Sequence, residues 1–318
     1  MIQISDAIIF NLIRGTGVIR IRAEERTGYM LIQGTLMKGY AGFYYVYADD
    51  RVWECSLRGR FRVKKQQFIP GDKVMVLPGT GDKATIEEVL ERQNSLVRPY
   101  IANVDQVLLV FSLKTPDPDY NLLDRLLIQA GKAEISILII FTKEDLDVGN
   151  QAPSVDYRRI GYEVVQVSNR TLTGIDEVAE RLKGNVSVLA GPSGSGKSSL
   201  INALNPGKTL KTGNVSDKIG RGRHTTRHVE LLSVAGGLVA DTPGFSSLYL
   251  PEMKREELQS YFPEFVRVKH ECRFSSCLHD KEPDCAVKEA LSESLINSSR
   301  YEHYLQFLKE VIEYEKKY

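Results

Sequence analysis

The feature that most constrains this chain is a glycine-rich segment between an apolar run and a helix-like run. It consists of Gly191, Pro192, Ser193, Gly194, Ser195, Gly196, Lys197, Ser198 and Ser199. The segment matches G-x-x-x-x-G-K-[ST] in the strand, loop and helix context of a phosphate-binding P-loop. Glycines let backbone N–H groups converge on phosphate oxygens, and the amino end of the following helix attracts anions. The segment predicts a nucleoside triphosphate site, with a glycine-rich turn of no function as the alternative.

Two side chains of the P-loop have separate expected roles. Lys197 would neutralise the β- and γ-phosphates, and the Ser198 hydroxyl would bind Mg²⁺. We therefore expect the nucleotide to be bound together with Mg²⁺.

Length and composition limit what surrounds this loop. The 318 residues allow two or three domains, and 42% hydrophobic with 26% charged residues is ordinary for a water-soluble protein. No run approaches the roughly 18 apolar residues of a membrane helix. The first ten residues include Asp6 and lack the features of a secretory signal. We expect a cytoplasmic monomer that does not associate with membranes.

Residues 1–97 contain short strand-like runs separated by turn signals such as Gly34. The runs lie at 15–21, 29–32, 43–48, 52–57, 61–63, 74–77 and 85–89. Short strands at this spacing are typical of a small all-β barrel or sandwich. With about five strands expected, we predict an OB-type barrel.

Basic residues recur at every second position near the end of that region. On a strand this spacing places them on one face, and Phe61 and Val63 on the other. The basic residues are Arg58, Arg60, Arg62 and Lys64. A basic stripe of this kind can follow an RNA phosphate backbone, and nearby tyrosines and Trp53 could stack on bases. A solvated edge strand protected by charge is the alternative.

After residue 97 apolar strands alternate with helical segments. Apolar runs lie at 104–111, 135–141, 163–167 and 186–190, with helical spacing at 121–130 and 175–182. Such alternation indicates a parallel sheet covered on both faces, with ligands at the carboxyl ends of its strands. We therefore predict three domains, at 1–97, 98–250 and 251–318, of which the central one is α/β.

Polar residues that fit a guanine nucleotide follow two of these strands. Residues 142–145, Thr-Lys-Glu-Asp, resemble the N-K-x-D box of GTPases. There Lys143 would pack on the base plane, and Asp145 would accept hydrogen bonds from N1–H and the exocyclic amine, a donor pair that adenine lacks. Thr142 stands where Asn is usual, which places one base contact in question. Ser168 lies in a short segment that resembles the Ser-Ala loop behind the guanine. A strand followed by a polar turn is the alternative.

Two segments beyond the P-loop resemble GTPase switches. A hydrophobic strand ends in Asp-Thr-Pro-Gly, where Asp241 would hold the Mg²⁺ shell and the Gly244 N–H would meet the γ-phosphate. The polar segment before that strand contains Thr225 and Thr226, one of which would supply a further Mg²⁺ ligand.

Three of the four cysteines are clustered near the end of the chain, with the spacing C-x4-C-x-H-x5-C. The cluster consists of Cys272, Cys277, His279 and Cys285. It matches a closed tetrahedral Cys3His zinc site. No ligand position is left open, so we predict one structural Zn²⁺ that supplies folding energy, with scattered free thiols as the alternative. Residues 287–318 have helical spacing, and their apolar face would cover either the zinc module or a partner.

In chain order the base-recognition residues precede the P-loop, the reverse of the usual GTPase order. This order resembles the circularly permuted GTPases, and the whole chain is similar to the ribosome small subunit-dependent GTPase family known as RsgA or YjeQ. The resemblance covers essentially all 318 residues: the barrel, the permuted boxes and the cysteine cluster. It implies a GTPase, converting GTP and water to GDP and phosphate, that binds the small ribosomal subunit and its rRNA and acts in late subunit maturation.

The residue that would orient the attacking water differs from that of Ras-type enzymes. Phe245 stands where Ras-type enzymes place a water-orienting Gln. His224 is the nearest candidate substitute, and the resemblance implies the same. Contact with RNA phosphate or packing within the loop is the alternative for His224. We expect slow intrinsic hydrolysis that accelerates when a partner orders this loop.

The residues are also compatible with two other functions. The P-loop sequence also occurs in guanylate kinases, but these need a lid and an acceptor site in the region that here contains Asp-Thr-Pro-Gly and the cysteine cluster. A non-catalytic RNA-binding scaffold that responds to GTP is the second alternative, and Phe245 gives it some support.

Overall fold

The computed structural model of the chain describes residues 30–40, 42–63, 67–97, 99–146, 152–205, 229–241 and 249–317. At residues 62, 63, 152, 153 and 241 it describes the backbone alone. These ranges form a closed β-barrel, a six-stranded sheet with flanking helices, and a helical C-terminal part. None of the helices in the described ranges has the length and apolar character that crossing a bilayer requires.

The N-terminal part is a closed five-stranded barrel, as predicted. Its elements are β1 (Ile32–Tyr40), β2 (Phe43–Ala48), β3 (Arg51–Leu57), α1 (Gly59–Val63), β4 (Lys73–Pro78) and β5 (Lys83–Val89). The strand order around the barrel is β1-β2-β3-β5-β4. Alternate residues of the strands point inwards, and the core contains Val46, Trp53 and Ile86.

Four expectations for the barrel are wrong, and the run at 15–21 lies outside the described residues. The strand expected at 29–32 is β1, which begins only at Ile32, and Trp53, expected to stack on bases, is 2% exposed and buried in the core. Gly34 lies inside β1 rather than in a turn, and there the strand passes so close to β2 that a Cβ atom would lie 2.5 Å from Val46 Cγ1. The expected strand at 61–63 is part of the helix α1. A run of three alternating residues also fits one helical turn, and this turn buries Phe61 in the barrel core.

The prediction that the basic residues share one strand face is therefore wrong as well. Arg58 Nε donates to Glu87 Oε1 at 2.7 Å, and Arg60 donates to the carbonyl oxygen of the same residue. Since α1 is helical, its arginines do not alternate with apolar residues across a strand. The side chain of Arg62, and Lys64 altogether, lie outside the described residues.

A tight backbone contact joins the barrel to the central part. A short antiparallel pair, β6 (Ser95–Leu96) and β7 (Ile101–Ala102), lies between them. The Ala102 N–H donates to the carbonyl of Pro70 at 2.9 Å, and Asn103 Nδ2 donates to the carbonyl of Gly71 at 2.9 Å. Gly71 has a φ of 90°, and a Cβ atom there would lie 1.9 Å from the Ala102 carbonyl oxygen. Only glycine fits this junction.

The central part is the predicted α/β sheet. Its elements are β8 (Gln106–Ser112), α2 (Tyr120–Lys132), β9 (Ser136–Thr142), a 3-10 turn (Glu144–Leu146), α3 (Ala152–Ile160), β10 (Glu163–Gln166), α4 (Ile175–Leu182), β11 (Val186–Ala190), α5 (Lys197–Leu204), β12 (Leu231–Val234) and β13 (Gly237–Asp241). The order across the sheet is β10-β9-β8-β11-β13-β12, and only β12 is antiparallel to its neighbour. The carboxyl ends of the five parallel strands therefore share one edge.

The C-terminal part is helical. Its elements are α6 (Arg255–Leu258), a 3-10 turn (Gln259–Tyr261), α7 (Pro263–Val268), a 3-10 turn (Lys269–Glu271), α8 (Ala286–Ser292) and α9 (Ser298–Glu315). The apolar face of α9 packs into the core of this part, where Phe265, Tyr304 and Phe307 are buried. Of the two possibilities for this face, the structure shows packing on the chain itself.

The same helix also contacts the central sheet domain through charged groups. Arg125 on α2 makes a two-pronged ion pair with Glu310, at 2.6 and 2.7 Å. Arg300 lies between Asp124 of α2 and Glu264 of α7, and all three are buried. Because each charge is paired, the burial of this cluster is tolerated. One helix thus connects the cysteine region to the sheet.

Candidate nucleotide-binding site and metal centre

The glycine-rich loop follows β11 and ends where α5 begins. Gly191 has a φ of 135° and Gly196 a φ of 92°, both in the left-handed region that favours glycine. A Cβ atom on Gly191 would lie 2.0 Å from the carbonyl oxygen of Val110 in β8. Gly196 is the N-cap of α5, whose first N–H groups have no partners within the helix. The local geometry is that of a loop able to bind phosphate.

Lys197 lies back across this loop. Its Nζ donates to the carbonyl oxygens of Gly191 and Pro192, at 2.9 and 2.7 Å. Phosphate oxygens are charged acceptors and make stronger hydrogen bonds with an ammonium group than carbonyls do. Lys197 can therefore exchange these contacts for phosphate when a nucleotide binds. Ser198 and Ser199 lie in the first turn of α5, and Ser193 and Gly194 are exposed.

The residues predicted to recognise the base contact the P-loop directly. Thr142, at the end of β9, donates from Oγ1 to the carbonyl of Ser195 at 2.6 Å, across 53 positions of sequence. Lys143 Nζ donates to the carbonyl of Gly194 at 2.9 Å. Because β9 and β11 are separated in the sheet by β8 alone, their carboxyl ends bring the two motifs together. The reversed motif order is thus compatible with one site.

Asp145 is oriented by a buried serine. Ser168 Oγ donates to Asp145 Oδ1 at 2.7 Å, and the backbone N–H groups of Arg170 and Thr171 donate to that same hydroxyl oxygen. Asp145 itself is exposed. Since an ionised carboxylate accepts about four hydrogen bonds, Asp145 keeps acceptor capacity for a ligand.

Two polar atoms at this site are buried without a hydrogen-bond partner among the described residues. They are Ser195 Oγ in the P-loop and Asn169 Oδ1 in the loop after β10. Buried polar atoms are nearly always paired in folded proteins, so each of these two atoms can still form a hydrogen bond with a group from outside the described residues. A polar ligand such as a nucleotide fits this requirement.

The loop after β8 also contributes, and the sequence analysis did not identify it. The carbonyl of Thr115 accepts a hydrogen bond from Lys143 Nζ, and Pro116 borders Gly194 of the P-loop. Ser112 Oγ holds this loop by donating to the carbonyl of Pro116 at 2.7 Å. The sequence pattern could have indicated this loop, because β8 ends at the same edge of the sheet as β9, β10 and β11.

The switch residues are covered only in part. Asp241 ends β13, where its backbone is in register with Leu189 of β11, so it lies at the P-loop edge of the sheet. His224, Thr225, Thr226 and Gly244 lie outside the described residues.

The predicted metal ligands come together in the C-terminal part. The ligand atoms of Cys272, Cys277, His279 and Cys285 all lie within 4.8 Å of one another. Cys272 Sγ is 3.7 Å from His279 Nδ1 and 3.9 Å from Cys285 Sγ, and Nδ1 is 3.4 Å from Cys285 Sγ. Ligand atoms on a tetrahedral zinc ion are separated by about 3.5 to 3.8 Å, as follows from the usual bond lengths. The three separations among Cys272, His279 and Cys285 are close to these values, and Cys277 lies within 4.8 Å of each, so the four residues can close on one Zn²⁺.

The imidazole of His279 is oriented for metal binding. Its Nε2 lies 3.0 Å from Gln259 Oε1, so the proton belongs on Nε2 and the lone pair of Nδ1 faces the three sulfur atoms. Burial lowers the pKa of His279 to about 4, which keeps the ring neutral. Tyr301 donates to the carbonyl of His279 at 2.7 Å, and Tyr304 to that of Leu278 at 2.9 Å. Helix α9 thus supports the ligand loop.

His270 lies just outside the ligand set. Its side chain is 70% exposed and faces Glu271. The structure therefore separates the two histidines of this stretch into one buried ligand candidate and one surface residue.

Family models match most of the described chain. A model described as RsgA GTPase matches residues 89–251, and one described as RsgA N-terminal domain matches residues 33–86. The first match spans the sheet and the P-loop, and the second spans most of the barrel.

Similar proteins and structures extend over nearly the whole length. A protein of Moorella thermoacetica named small ribosomal subunit biogenesis GTPase RsgA is 50% identical over 289 residues, which is 90% of this chain and 100% of that protein. Its namesake in Geobacillus kaustophilus is 49% identical, over 91% of this chain and 100% of that protein. YjeQ from Thermotoga maritima matches with a TM-score of 0.73 and 37% identity, over 88% of this chain and 98% of its own. YloQ, described as a circularly permuted GTPase, matches with a TM-score of 0.74 and 38% identity, over 92% and 98%.

Proposed function

The chain belongs to the RsgA GTPase family, and from that premise we propose that it binds the small ribosomal subunit and couples GTP hydrolysis to late maturation of that subunit. The similar proteins carry the name small ribosomal subunit biogenesis GTPase. The observation that supports the proposal best is the pair of hydrogen bonds from Thr142 and Lys143 to the P-loop. They bring the segment predicted to recognise the base against the loop predicted to bind phosphate.

The roles proposed for the nucleotide site follow its geometry. The backbone of residues 191–199 holds the phosphates, with Lys197 donating to the β- and γ-phosphate oxygens. Asp145, held by Ser168, accepts hydrogen bonds from guanine N1–H and the exocyclic amine. Ser198 and Asp241 hold Mg²⁺, which offsets charge on the β- and γ-phosphates when bound.

The catalytic proposal rests on residues beyond the described ranges. His224 orients the attacking water, since Phe245 occupies the position of the usual Gln and has no group that can bind water. Thr225 or Thr226 completes the Mg²⁺ shell, and the Gly244 N–H meets the γ-phosphate. Poorly positioned water makes hydrolysis slow until a partner orders this segment.

The proposed partners are GTP or GDP and the rRNA of the small subunit. In the barrel, the positive charges of Arg58, Arg60, Arg62 and Lys64 attract the RNA backbone, although these residues do not share one strand face. Arg58 is paired with Glu87, yet just over half of its side chain remains accessible. A phosphate can therefore reach its guanidinium group.

The chain is organised as three domains, one of which holds a metal ion. One structural Zn²⁺ is held by the four residues of the Cys3His cluster, where its folding energy stabilises a short polar stretch. The domains run over 1–97, 98–250 and 251–318, and the protein acts as a monomer in the cytoplasm.

Phosphate release from GTP by the full chain, with and without purified small ribosomal subunits, tests the proposal. We expect slow release alone and an increase of about tenfold or more with the subunits. Lys197→Ala should abolish release in both conditions. Lys183→Ala, which removes an exposed lysine paired with Glu180, should leave it unchanged.

Each other outcome contradicts a specific part. A rate of phosphate release that does not change when the subunits are added contradicts the coupling to the ribosome. Transfer of phosphate from a nucleoside triphosphate to added GMP would establish a guanylate-type kinase. GTP binding without release under either condition would leave the non-catalytic RNA-binding scaffold.

A further inference from the structure

We propose that Asn169 is a specificity-determining residue whose side-chain amide donates a hydrogen bond to the N7 and O6 edge of guanine. It would thereby supply the contact that Thr142, in the position of the usual Asn, does not make. The inference rests on the proposed guanine-nucleotide function of this site.

Thr142 has no capacity left for the base. Its single hydroxyl proton is used in the 2.6 Å hydrogen bond to the carbonyl of Ser195, and Oγ1 also lies 3.4 Å from the carbonyl of Phe111. The residue is fully buried. Thr142 therefore holds the P-loop through the Ser195 carbonyl and has no hydrogen-bond donor left for a ligand.

Asn169 lies beside Thr142 at the same glycine. A Cβ atom built on Gly196 would lie 3.3 Å from Thr142 Oγ1 and 3.3 Å from Asn169 Nδ2. Asn169 Nδ2 donates to the carbonyl of Gly196 over a long distance of 3.4 Å. The amide thus reaches the start of α5 from the loop after β10, next to the position where the usual Asn would be.

The amide is poorly satisfied by the protein alone. Of its two N–H groups one makes the long bond to Gly196, and Oδ1 is buried without a partner among the described residues. A primary amide offers two donors and one acceptor oxygen, so donor capacity remains. Only this second N–H bears on the edge of a base that has acceptors, because the unpaired Oδ1 is itself an acceptor.

The chemistry of guanine determines which edge Asn169 can bind. Asp145 is an acceptor and takes the donors of the base, N1–H and the exocyclic amine. The remaining edge has only acceptors, N7 and O6, and requires a donor from the protein. Ser168, which orients Asp145, is the chain neighbour of Asn169, so an acceptor and a donor are set side by side by one loop. The backbone N–H groups of Arg170 and Thr171 are already directed at Ser168 Oγ.

The experiment measures the dissociation constants of GDP, 7-deaza-GDP and 6-thio-GDP by competition with a fluorescent GDP on the full chain with Mg²⁺. 7-deaza-GDP lacks the N7 acceptor, and 6-thio-GDP has a weaker acceptor at position 6. Wild type should bind at least one analogue about three- to tenfold more weakly than GDP, as expected for one neutral hydrogen bond. Asn169→Ala should lose a similar factor for GDP and bind all three within about twofold of one another.

A matched control is Asn121→Ala, which removes an exposed amide on α2 bonded to Gln306 at 3.0 Å. It should leave all three constants unchanged. Asn169→Ala could instead weaken the binding of all three nucleotides by the same factor, so that the variant still discriminates among them as wild type does. In that case Asn169 only holds Gly196, and the proposal is overturned. Equal binding of the three nucleotides by wild type overturns it without any variant. Failure of wild type to bind GDP would instead contradict the guanine-nucleotide function itself.

Discussion

The two candidate sites are built in opposite ways. The four candidate metal ligands come from one stretch of 14 residues, Cys272 to Cys285, and three of them are buried. The candidate nucleotide site is assembled from the ends of β8, β9, β10 and β11, and Asp145, the residue proposed to recognise the base, is exposed. The first site is mostly buried, as a structural metal would require, whereas the second is accessible to a ligand from solvent.

This difference separates folding from turnover. A closed ligand set converts the free energy of metal binding into folding free energy, because the set does not exist in the unfolded chain. An open site on a preformed sheet edge contributes little to folding, and it can bind and release a ligand repeatedly. Variants of the zinc cluster should therefore affect stability first, and variants of the nucleotide site should affect ligand affinity first.

The largest effect is expected when a zinc ligand is removed. His279→Ala leaves three thiols and opens the closed set, and structural zinc sites contribute roughly 10 kcal/mol or more of apparent binding free energy. We expect loss of bound zinc, measured by metal analysis of the purified chain, together with early unfolding of the C-terminal part.

A second histidine, two residues before the first ligand, serves as the control. His270→Ala removes an exposed imidazole outside the ligand set and should retain one zinc ion per chain. Equal zinc content in the two variants would contradict the assignment of His279 as a ligand.

A smaller loss of stability is expected where the C-terminal part meets the sheet domain. Arg300→Met leaves the buried carboxylates of Asp124 and Glu264 without their main counter-charge. Breaking a buried ion pair on one side costs about 3 to 5 kcal/mol. Urea unfolding should show a loss of this order, while zinc content in native buffer is kept.

The control for this variant is an exposed pair. Arg273→Met removes an ion pair with Asp284 in which both side chains are more than 60% accessible. Exposed pairs contribute about 0 to 1 kcal/mol. A loss for Arg300→Met no larger than for Arg273→Met would show that the buried cluster does not stabilise the contact between α9 and α2.

A tenfold to hundredfold effect on metal affinity is expected from a residue that does not touch the ion. Gln259→Ala removes the acceptor of His279 Nε2–H, and losing such a partner typically costs about 10- to 100-fold in metal affinity. Competition with a zinc chelator should measure it. Gln129→Ala, which removes an exposed amide on α2 bonded to the carbonyl of Tyr249, should not change the affinity.

The contrast between the sites also explains what the sequence could predict. Ligands close together in the chain are fixed by spacing, so the cysteine cluster was identified from the sequence, while Gln259 was not, because its bond to His279 spans 20 positions. The P-loop and the Thr-Lys-Glu-Asp box were recognised separately. Their contact depended on the strand order, which spacing alone does not give.

The errors have a physical reason as well. Residues 59–63 alternate like a strand, but five residues also make one helical turn, and burial of Phe61 in the barrel core decided between the two. Gly34 was expected to mark a turn, yet it allows close packing of two strands. In both cases a tertiary contact overrode the local pattern.

The smallest effect is expected at the bond that joins the two halves of the nucleotide site. Thr142→Val keeps the shape of the side chain but removes the donor to the Ser195 carbonyl, which leaves that carbonyl unpaired. Leaving a buried carbonyl unpaired costs about 1 to 3 kcal/mol of free energy. Part of this cost lowers the stability of the fold and the rest weakens nucleotide binding, so the affinity for GDP should drop by about fivefold. Thr173→Val, in the loop after β10, removes an exposed hydroxyl paired with Thr171 and should leave the affinity unchanged. If Thr142→Val binds GDP as tightly as wild type does, the P-loop is held by its glycines and Lys143 and does not need the Thr142 bond. The nucleotide site would then depend less on contacts between its segments than the comparison with the zinc centre implies.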